Sequence, residues 1–334
     1  MAPLISVIIP NRNGEATIGR CLEAAFASRY RNFEVIVADD CSSDGSIGEI
    51  GRFPCRLVRL ERHGGASAAR NAGAALARGE LFFFTDADCL LLEDALEIAA
   101  ESHQRHGPGV IVGGTYTPKP FDADFFSRFQ SVFVNHSETR DPAEADYAAT
   151  HAMVIAAEAF RQSGGFTEDF LPVAEDVEFS HRLRRAGHRI VVEPRLLVRH
   201  IFGFSLYRSL HNAVFKAMHW TRYSIRNRDI LADSGTASTE LKANVLLCLT
   251  GLALLCSGAV LGERILLCAA ALPFGGSLLA SRGLIAAFFR TGGVTFGLLA
   301  MLYYLTLYAL AVGAGAFAGV IRYLMPVRSG QKGG

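Results

Sequence analysis

Asp86-Ala87-Asp88 sets two carboxylates two residues apart, directly after the apolar run Leu81-Phe82-Phe83-Phe84-Thr85. Such a pair at a strand end can hold one hard cation, and that cation can offset charge on a departing nucleoside diphosphate. Two further polar loops follow apolar runs: Pro10-Asn11-Arg12-Asn13-Gly14 and Asp39-Asp40-Cys41-Ser42-Ser43-Asp44-Gly45. Asp39 and Asp40 would offer acceptors to a base or ribose edge, while Ser42 to Gly45 also fits a plain turn and helix cap. Glu175-Asp176 is a third acidic site. A carboxylate there could accept a proton from an attacking hydroxyl, with its neighbour's like charge raising its pKa. It could equally be acid at a helix start, with Glu178 and Arg182 as an i,i+4 pair.

These loops need elements to converge. Apolar runs predict strands over residues 4–9, 33–38, 55–60 and 81–85, and periodic patterns predict helices over 15–28, 65–78 and 91–102. Alternation of this kind argues an α/β fold, a mostly parallel sheet flanked by helices, which binds ligands outside the carboxyl ends of its strands. The polar loops all fall at such ends.

Charge divides the chain. Residues 243–334 hold seven charged side chains, against 58 in residues 1–242. The first part has a net charge of −4 and gives no reason to expect nucleic acid as a partner. The tail contains three apolar runs, 243–262, 265–281 and 294–321, read as C-terminal transmembrane helices. Arg222, Arg226, Arg228 and Lys242 precede the first, so the positive-inside rule predicts a multi-pass cell-membrane protein with its first domain in the cytoplasm. Three spans would leave Arg322, Arg328 and Lys332 on the far side, against that rule, unless one segment is re-entrant. Residues 4–9 are too short for a cleavable signal, and seven cysteines without a C-x-x-C pair suit a reducing compartment. Residues 195–228 hold seven Lys/Arg and no acid, and Tyr207, Leu210, Val214 and Met218 share one helical face. Such a helix can lie on an anionic leaflet or pack its apolar side on the domain. The expected domains are therefore 1–203, an interfacial helix and linker over 204–242, and a membrane region over 243–325.

Ser6-Val7-Ile8-Ile9-Pro10, the Val37 to Ser46 segment, Ala69-Arg70-Asn71-Ala72-Gly73, Asp86-Ala87-Asp88, Gly164-Gly165-Phe166 and Glu175-Asp176-Val177-Glu178-Phe179 occur in one order and spacing. As a set they resemble the family 2 glycosyltransferases over about residues 4–200. That resemblance implies a GT-A fold, a nucleotide-sugar donor, a divalent cation (Mg2+ or Mn2+) and usually inversion at the anomeric carbon. It implies donor contacts at Pro10, Asn13, Asp39, Asp40, Arg70 and Asp86, and a metal on Asp88. Asp176 matches the general base, with Glu175 beside it. His200 matches a histidine that in some members reaches the metal or diphosphate, though a surface role fits it as well. Arg182 and His151 fall on the acceptor or diphosphate side, where Thr150-His151-Ala152-Met153 departs from the family pattern.

Of the processive members' Gln-x-x-Arg-Trp motif, only Trp220 remains, which speaks against a polymer synthase. The expected activity is sugar transfer to a membrane-held acceptor, such as a polyprenyl-diphosphate-linked glycan in polysaccharide or cell-envelope synthesis. Transfer onto polyprenyl monophosphate, nucleotidyl transfer and an inactive membrane scaffold are the alternatives. Gly64-Gly65 is read as a turn rather than a phosphate cradle, and His63, His103, His106 and His136 as surface residues.

Overall fold

The computed structural model describes residues 2–168 and 174–325, in two compact units, one ending at Gly203 and one beginning at Phe204. In the first unit, eight strands make one sheet: β1 (Ile5–Asn11), β2 (Phe33–Asp39), β3 (Arg56–Arg59), β4 (Leu81–Phe84), β5 (Cys89–Leu91), β6 (Val110–Tyr116), β7 (Met153–Ala156) and β8 (Arg189–His200). Their order is β3-β2-β1-β4-β7-β6-β8-β5. Strands β3, β2, β1 and β4 are parallel to one another, as are β6 and β8. β7 runs antiparallel to β4 and β6, and β5 antiparallel to β8. Register pairs Asn11 with Asp39 and Ile8 with Phe84, so β1, β2 and β4 end at one edge of the sheet.

The four expected strands are present within one or two residues. The helix expected from residue 91 starts instead at Ala95, and Leu91 ends a short strand, β5, in which residues 89–91 pair with residues 198–200. The helix expected from residue 15 starts at Ile18, because Glu15 is tied into the neighbouring loop at Asp44 and Gly45. Pro10 is tolerated in a central strand for a geometric reason. Ile8 accepts from the Thr85 N–H on the β4 side, so Pro10 faces the same side, beyond the end of β4, where no donor is needed.

Two contacts set the site's position. Helix Gly65–Leu76 lies close on the sheet because Gly73 has no side chain; a Cβ there would meet Ile8 Cγ2 at 2.7 Å. This brings the buried Arg70, one turn earlier, to the strand ends. Phe82 and Phe84, two apart and on one face of β4, pack with Phe160, Phe166 and Phe179. Ring centroids are 5.1 Å apart for Phe84–Phe160, 5.2 Å for Phe84–Phe166 and 4.4 Å for Phe166–Phe179. Each fully buried ring contributes about 1.5–3 kcal/mol. Because Phe179 belongs to helix Glu175–Arg185, this cluster fixes that helix's acidic first turn beside β4.

The second unit is helical. Helix Leu206–Asn227 is capped by the Ser205 hydroxyl, and Thr239–Leu261 by that of Ser238. The long helix Arg282–Leu324 includes a kink at Gly293 (φ 74°) and a π-helical stretch at Tyr304–Tyr308. Among the described residues, two helices, Thr239–Leu261 and Arg282–Leu324, are long and apolar enough to cross a membrane. The expected span over 265–281 falls on a shorter apolar helical stretch, Arg264–Ala280, that is divided at Ala270. Arg328 and Lys332 lie outside the described residues. Of the face of helix Leu206–Asn227 read from the sequence, Met218 is buried and Leu210 and Val214 are half-buried, whereas Tyr207 is 75% exposed; Ser209 and Ala213 are buried beside them. It packs along residues 309–324, where Gly315 and Gly319 admit the backbone of Val214 and Met218; a Cβ would stand 2.3 and 2.6 Å from their carbonyl oxygens.

A chain ended after Gly203 should therefore fold alone. Chemical denaturation is expected to show one cooperative transition and calorimetry to show nucleotide binding; an aggregated fragment without binding would mean the second unit completes its core.

Candidate active site

The β1 and β2 loops are zipped together. Asp39 is buried and accepts from Asn11 Nδ2 (2.9 Å), Ser42 N (3.1 Å) and Ser42 Oγ (2.5 Å). Asn13 takes a left-handed conformation (φ 51°), from which its N–H donates to Ser42 Oγ and its Oδ1 accepts from Ser43 N. Glu15 N donates to Asp44, and Glu15 Oε2 accepts from Gly45 N. Pro10, Asn13 and Asp39 thus share one ordered edge, as the sequence predicts.

Asp40 turns elsewhere. Its carboxylate accepts from Gly64 N (2.8 Å), Gly65 N (2.9 Å) and His63 Nδ1 (2.7 Å). The amides that could have cradled phosphate are thereby engaged, and Asp40 holds the start of helix Gly65–Leu76. His63, expected as a plain surface residue, also meets Arg12. His103 and His136 are half-buried rather than surface residues.

Arg70 joins the two acidic segments. It is 3% exposed; Nη2 donates to Asp86 Oδ1 at 2.7 Å, and Nη1 to Glu175 Oε1 at 2.9 Å. Glu175, 105 residues on in the chain, is so brought to the Arg70 guanidinium, which lies 5.7 Å from the Phe166 ring centroid. Burial opposes its charge, but Asp86 and Glu175 outweigh that and raise its pKa, so Arg70 stays a cation. Burial likewise opposes the charge on Asp86, and Arg70 reverses the balance, holding this carboxyl below its ordinary range. Asp176 goes the other way. Burial, reinforced by Glu175 and opposed by Arg70, pushes it up to about 7. Of the two adjacent carboxyls, Glu175 is bonded to Arg70, while Asp176 has no such bond and is poised near neutrality.

Asp88 and His200 form the candidate cation site. Asp88 Oδ1 stands 3.5 Å from His200 Nε2, and Cys89 places its sulfur within 4.8 Å of both ligand atoms. Burial and the Asp86 charge push Asp88 up to about 7. A carboxylate oxygen and an imidazole nitrogen suit Mg2+ or Mn2+, and a cation would relieve the cost of a charged Asp88. The sequence offered no signal for Cys89 beyond its adjacency to the Asp pair; its pairing opposite His200 across β5 and β8 supplies one.

Arg182 does not reach the cleft as expected. Its Nη1 and Nη2 each donate, at 2.5 Å, to the carbonyls of Ser163 and Gly165, and its Nε to Glu178. The guanidinium ties the Gly164-Gly165-Phe166 turn to helix Glu175–Arg185. Asn71 secures the same turn, accepting from Phe166 N and donating to Phe166 O and Glu168. His151 does reach the site. Its ring lies 4.1 Å from that of Tyr116 and its Nε2 3.4 Å from Glu138 Oε2. Burial lowers its pKa, but Glu138 more than compensates, so the net shift is upward. Glu138, Tyr116 and Asn71 had no assigned role in the sequence reading.

Residues 6–161 match the family model described as glycosyl transferase family 2. Glycosyltransferase GlyG of Streptococcus pneumoniae is 33% identical over 132 residues, which cover 38% of this chain and 44% of the relative. The Escherichia coli UDP-Glc:alpha-D-GlcNAc-diphosphoundecaprenol beta-1,3-glucosyltransferase WfgD is 33% identical over 98 residues, covering 28% and 39% respectively. The chain spans less than half the length of each of these relatives. A solved mannosyltransferase from Pyrobaculum calidifontis, in complex with GDP-Man and Mn2+, superposes with a TM-score of 0.60 at 19% identity, covering 97% of this chain and 88% of that one. At that identity the likeness shows a shared GT-A-like fold.

Replacing Arg70 by Met keeps bulk but strands two carboxylates. Losing one partner of a fully buried ion pair costs about 3–5 kcal/mol, and Asp86 keeps some water, so a loss of at least about 2 kcal/mol is expected. Equilibrium denaturation checks this; a loss under about 0.5 kcal/mol would show that the bridge carries no stability.

Proposed function

We propose, from the match of residues 6–161 to the family 2 glycosyltransferase model, that the chain moves a sugar from a nucleotide-sugar donor to a hydroxyl on a membrane-held, lipid-linked glycan. The observation that supports this best is the meeting, around Arg70, of the Asp86 segment with the Glu175-Asp176 segment. Donor contacts are assigned to Pro10, Asn13, Asp39, Arg70 and Asp86. Asp88 and His200 would hold the divalent cation, which when bound supplies positive charge to the donor's diphosphate. The acceptor hydroxyl attacks the anomeric carbon while Asp176 takes its proton. The bond from that carbon to the diphosphate oxygen breaks, and its electron pair leaves with the nucleoside diphosphate. Direct attack inverts the anomeric configuration.

The acceptor assignment draws on two features. Helices Thr239–Leu261 and Arg282–Leu324 are apolar enough to sit in a bilayer, and the E. coli relative is named for a diphosphoundecaprenol-linked substrate. The basic side chains at residues 195–228 and Lys242 would keep the catalytic unit on the cytoplasmic face. A polysaccharide or cell-envelope pathway is the corresponding setting.

Two predictions follow from these roles. Asp176→Asn preserves shape but cannot accept a proton near neutral pH, so kcat should fall by about 10²–10⁴-fold while donor affinity holds. The base works ionised, and its pKa is about 7, so wild-type activity at saturating Mn2+ should rise as pH increases through about 7. Activity of Asp176→Asn within about threefold of wild type, or a flat profile there, would remove Asp176 as base. Separately, EDTA or Asp88→Ala should abolish release of nucleoside diphosphate; full turnover in EDTA would exclude the cation.

A further inference from the structure

Glu138 ends helix Phe125–Thr139 inside the protein, with 7% of its side chain exposed. A carboxylate so enclosed requires partners. Thr115 Oγ1 donates to its Oε2 at 2.7 Å, and His151 Nε2 stands 3.4 Å from the same oxygen. His151 is as deeply enclosed, also at 7%. It sits on the short turn Thr150–Ala152, whose carbonyl at His151 accepts from Thr85 Oγ1, the residue before Asp86. Tyr116 covers one face of the ring at 4.1 Å and meets the His200 ring edge-on at 5.0 Å.

The ring is thus held by a carboxylate at one nitrogen and an aromatic face on one side. Its two nitrogens point in different directions; Nε2 faces Glu138 at ion-pair distance, outside hydrogen-bond geometry, and Nδ1 is the other nitrogen that a ligand could meet. The charged groups around it come from separate elements: Glu138 from the helix, Asp86 and Asp88 beyond β4, Asp176 from the start of helix Glu175–Arg185. Apart from Glu138, these are the groups assigned above to donor, cation and proton transfer. Through Tyr116, whose ring contacts both His151 and His200, and through the Thr85 bond next to Asp86, the pair lies beside the groups assigned to donor and cation.

We propose that Glu138 is a positioning residue that fixes His151 as an imidazolium aimed at the donor's diphosphate. The proposal rests on the donor reading given above and adds a second fixed cation to Arg70. Without the Glu138 charge, the same ring would deprotonate more easily and lose its orientation, and the diphosphate would lose one charge-assisted hydrogen bond.

The test uses the full chain with MnCl2 and whichever of UDP and GDP the wild type binds, together with the matching monophosphate. Glu138→Gln keeps the shape and the Thr115 bond but removes the charge. Calorimetry should show diphosphate affinity falling roughly tenfold to hundredfold, the value of a charge-assisted hydrogen bond, with monophosphate affinity unchanged. The remaining diphosphate affinity should also fade at a lower pH than in wild type. His151→Gln should show the same selective loss, and the double variant no further loss. Unchanged diphosphate affinity in either single variant, equal weakening of both nucleotides, or additive losses would overturn the role. A wild type that binds neither UDP nor GDP would instead sink the donor reading itself, and this role with it.

Discussion

One guanidinium holds the candidate site together. Arg70 is placed by a helix that can approach the sheet only because Gly73 has no side chain, and it reaches one carboxylate after β4 and one at the start of helix Glu175–Arg185. Neither acidic segment is placed by local sequence alone. The Phe84–Phe166–Phe179 cluster brings the helix to the strand, and Arg70 makes the meeting of acids electrostatically tolerable. The same bridge separates the carboxyls chemically: Asp86 is held charged, while Asp176 and Asp88, without a direct Arg70 bond, rise to about 7. A base and a cation ligand thereby arise from one buried charge pattern.

Around this centre, several polar residues act as braces. Asp40 anchors the opening of helix Gly65–Leu76, and Arg182 and Asn71 pin the Gly164-Gly165-Phe166 turn. Motif residues of this kind keep the reactive groups in register, and a buried backbone amide or carbonyl needs such partners in any case.

The parallel half of the sheet was legible because its strands are apolar runs ended by polar loops, and Asp39, Asp86 and Asp88 stand at those ends, while Asp176 opens a helix. The antiparallel half was not. β5 is three residues long, and β7 is four, too short for a period to show, and both are fixed by cross-strand pairing. Glu138 was hidden for a related reason: nothing near residue 138 marks it as facing residue 151, and only the packing of helix Phe125–Thr139 on β6 brings them together. Arg182 was misread because a motif arginine looks alike in sequence whether it binds a substrate or two carbonyls. The tail's composition was plain, but helix lengths, such as the short stretch over 264–280 and the continuity through Tyr304–Tyr308, are not encoded in apolar content.

The central claim is that Asp176 serves a direct displacement at the anomeric carbon. The configuration of the new linkage tests this most directly, read from the anomeric proton coupling in NMR spectra of the product formed from a donor of known configuration. The account predicts a product of opposite configuration to the donor. Retained configuration would require a covalent or internal-return route and would contradict Asp176 as the base for a single displacement.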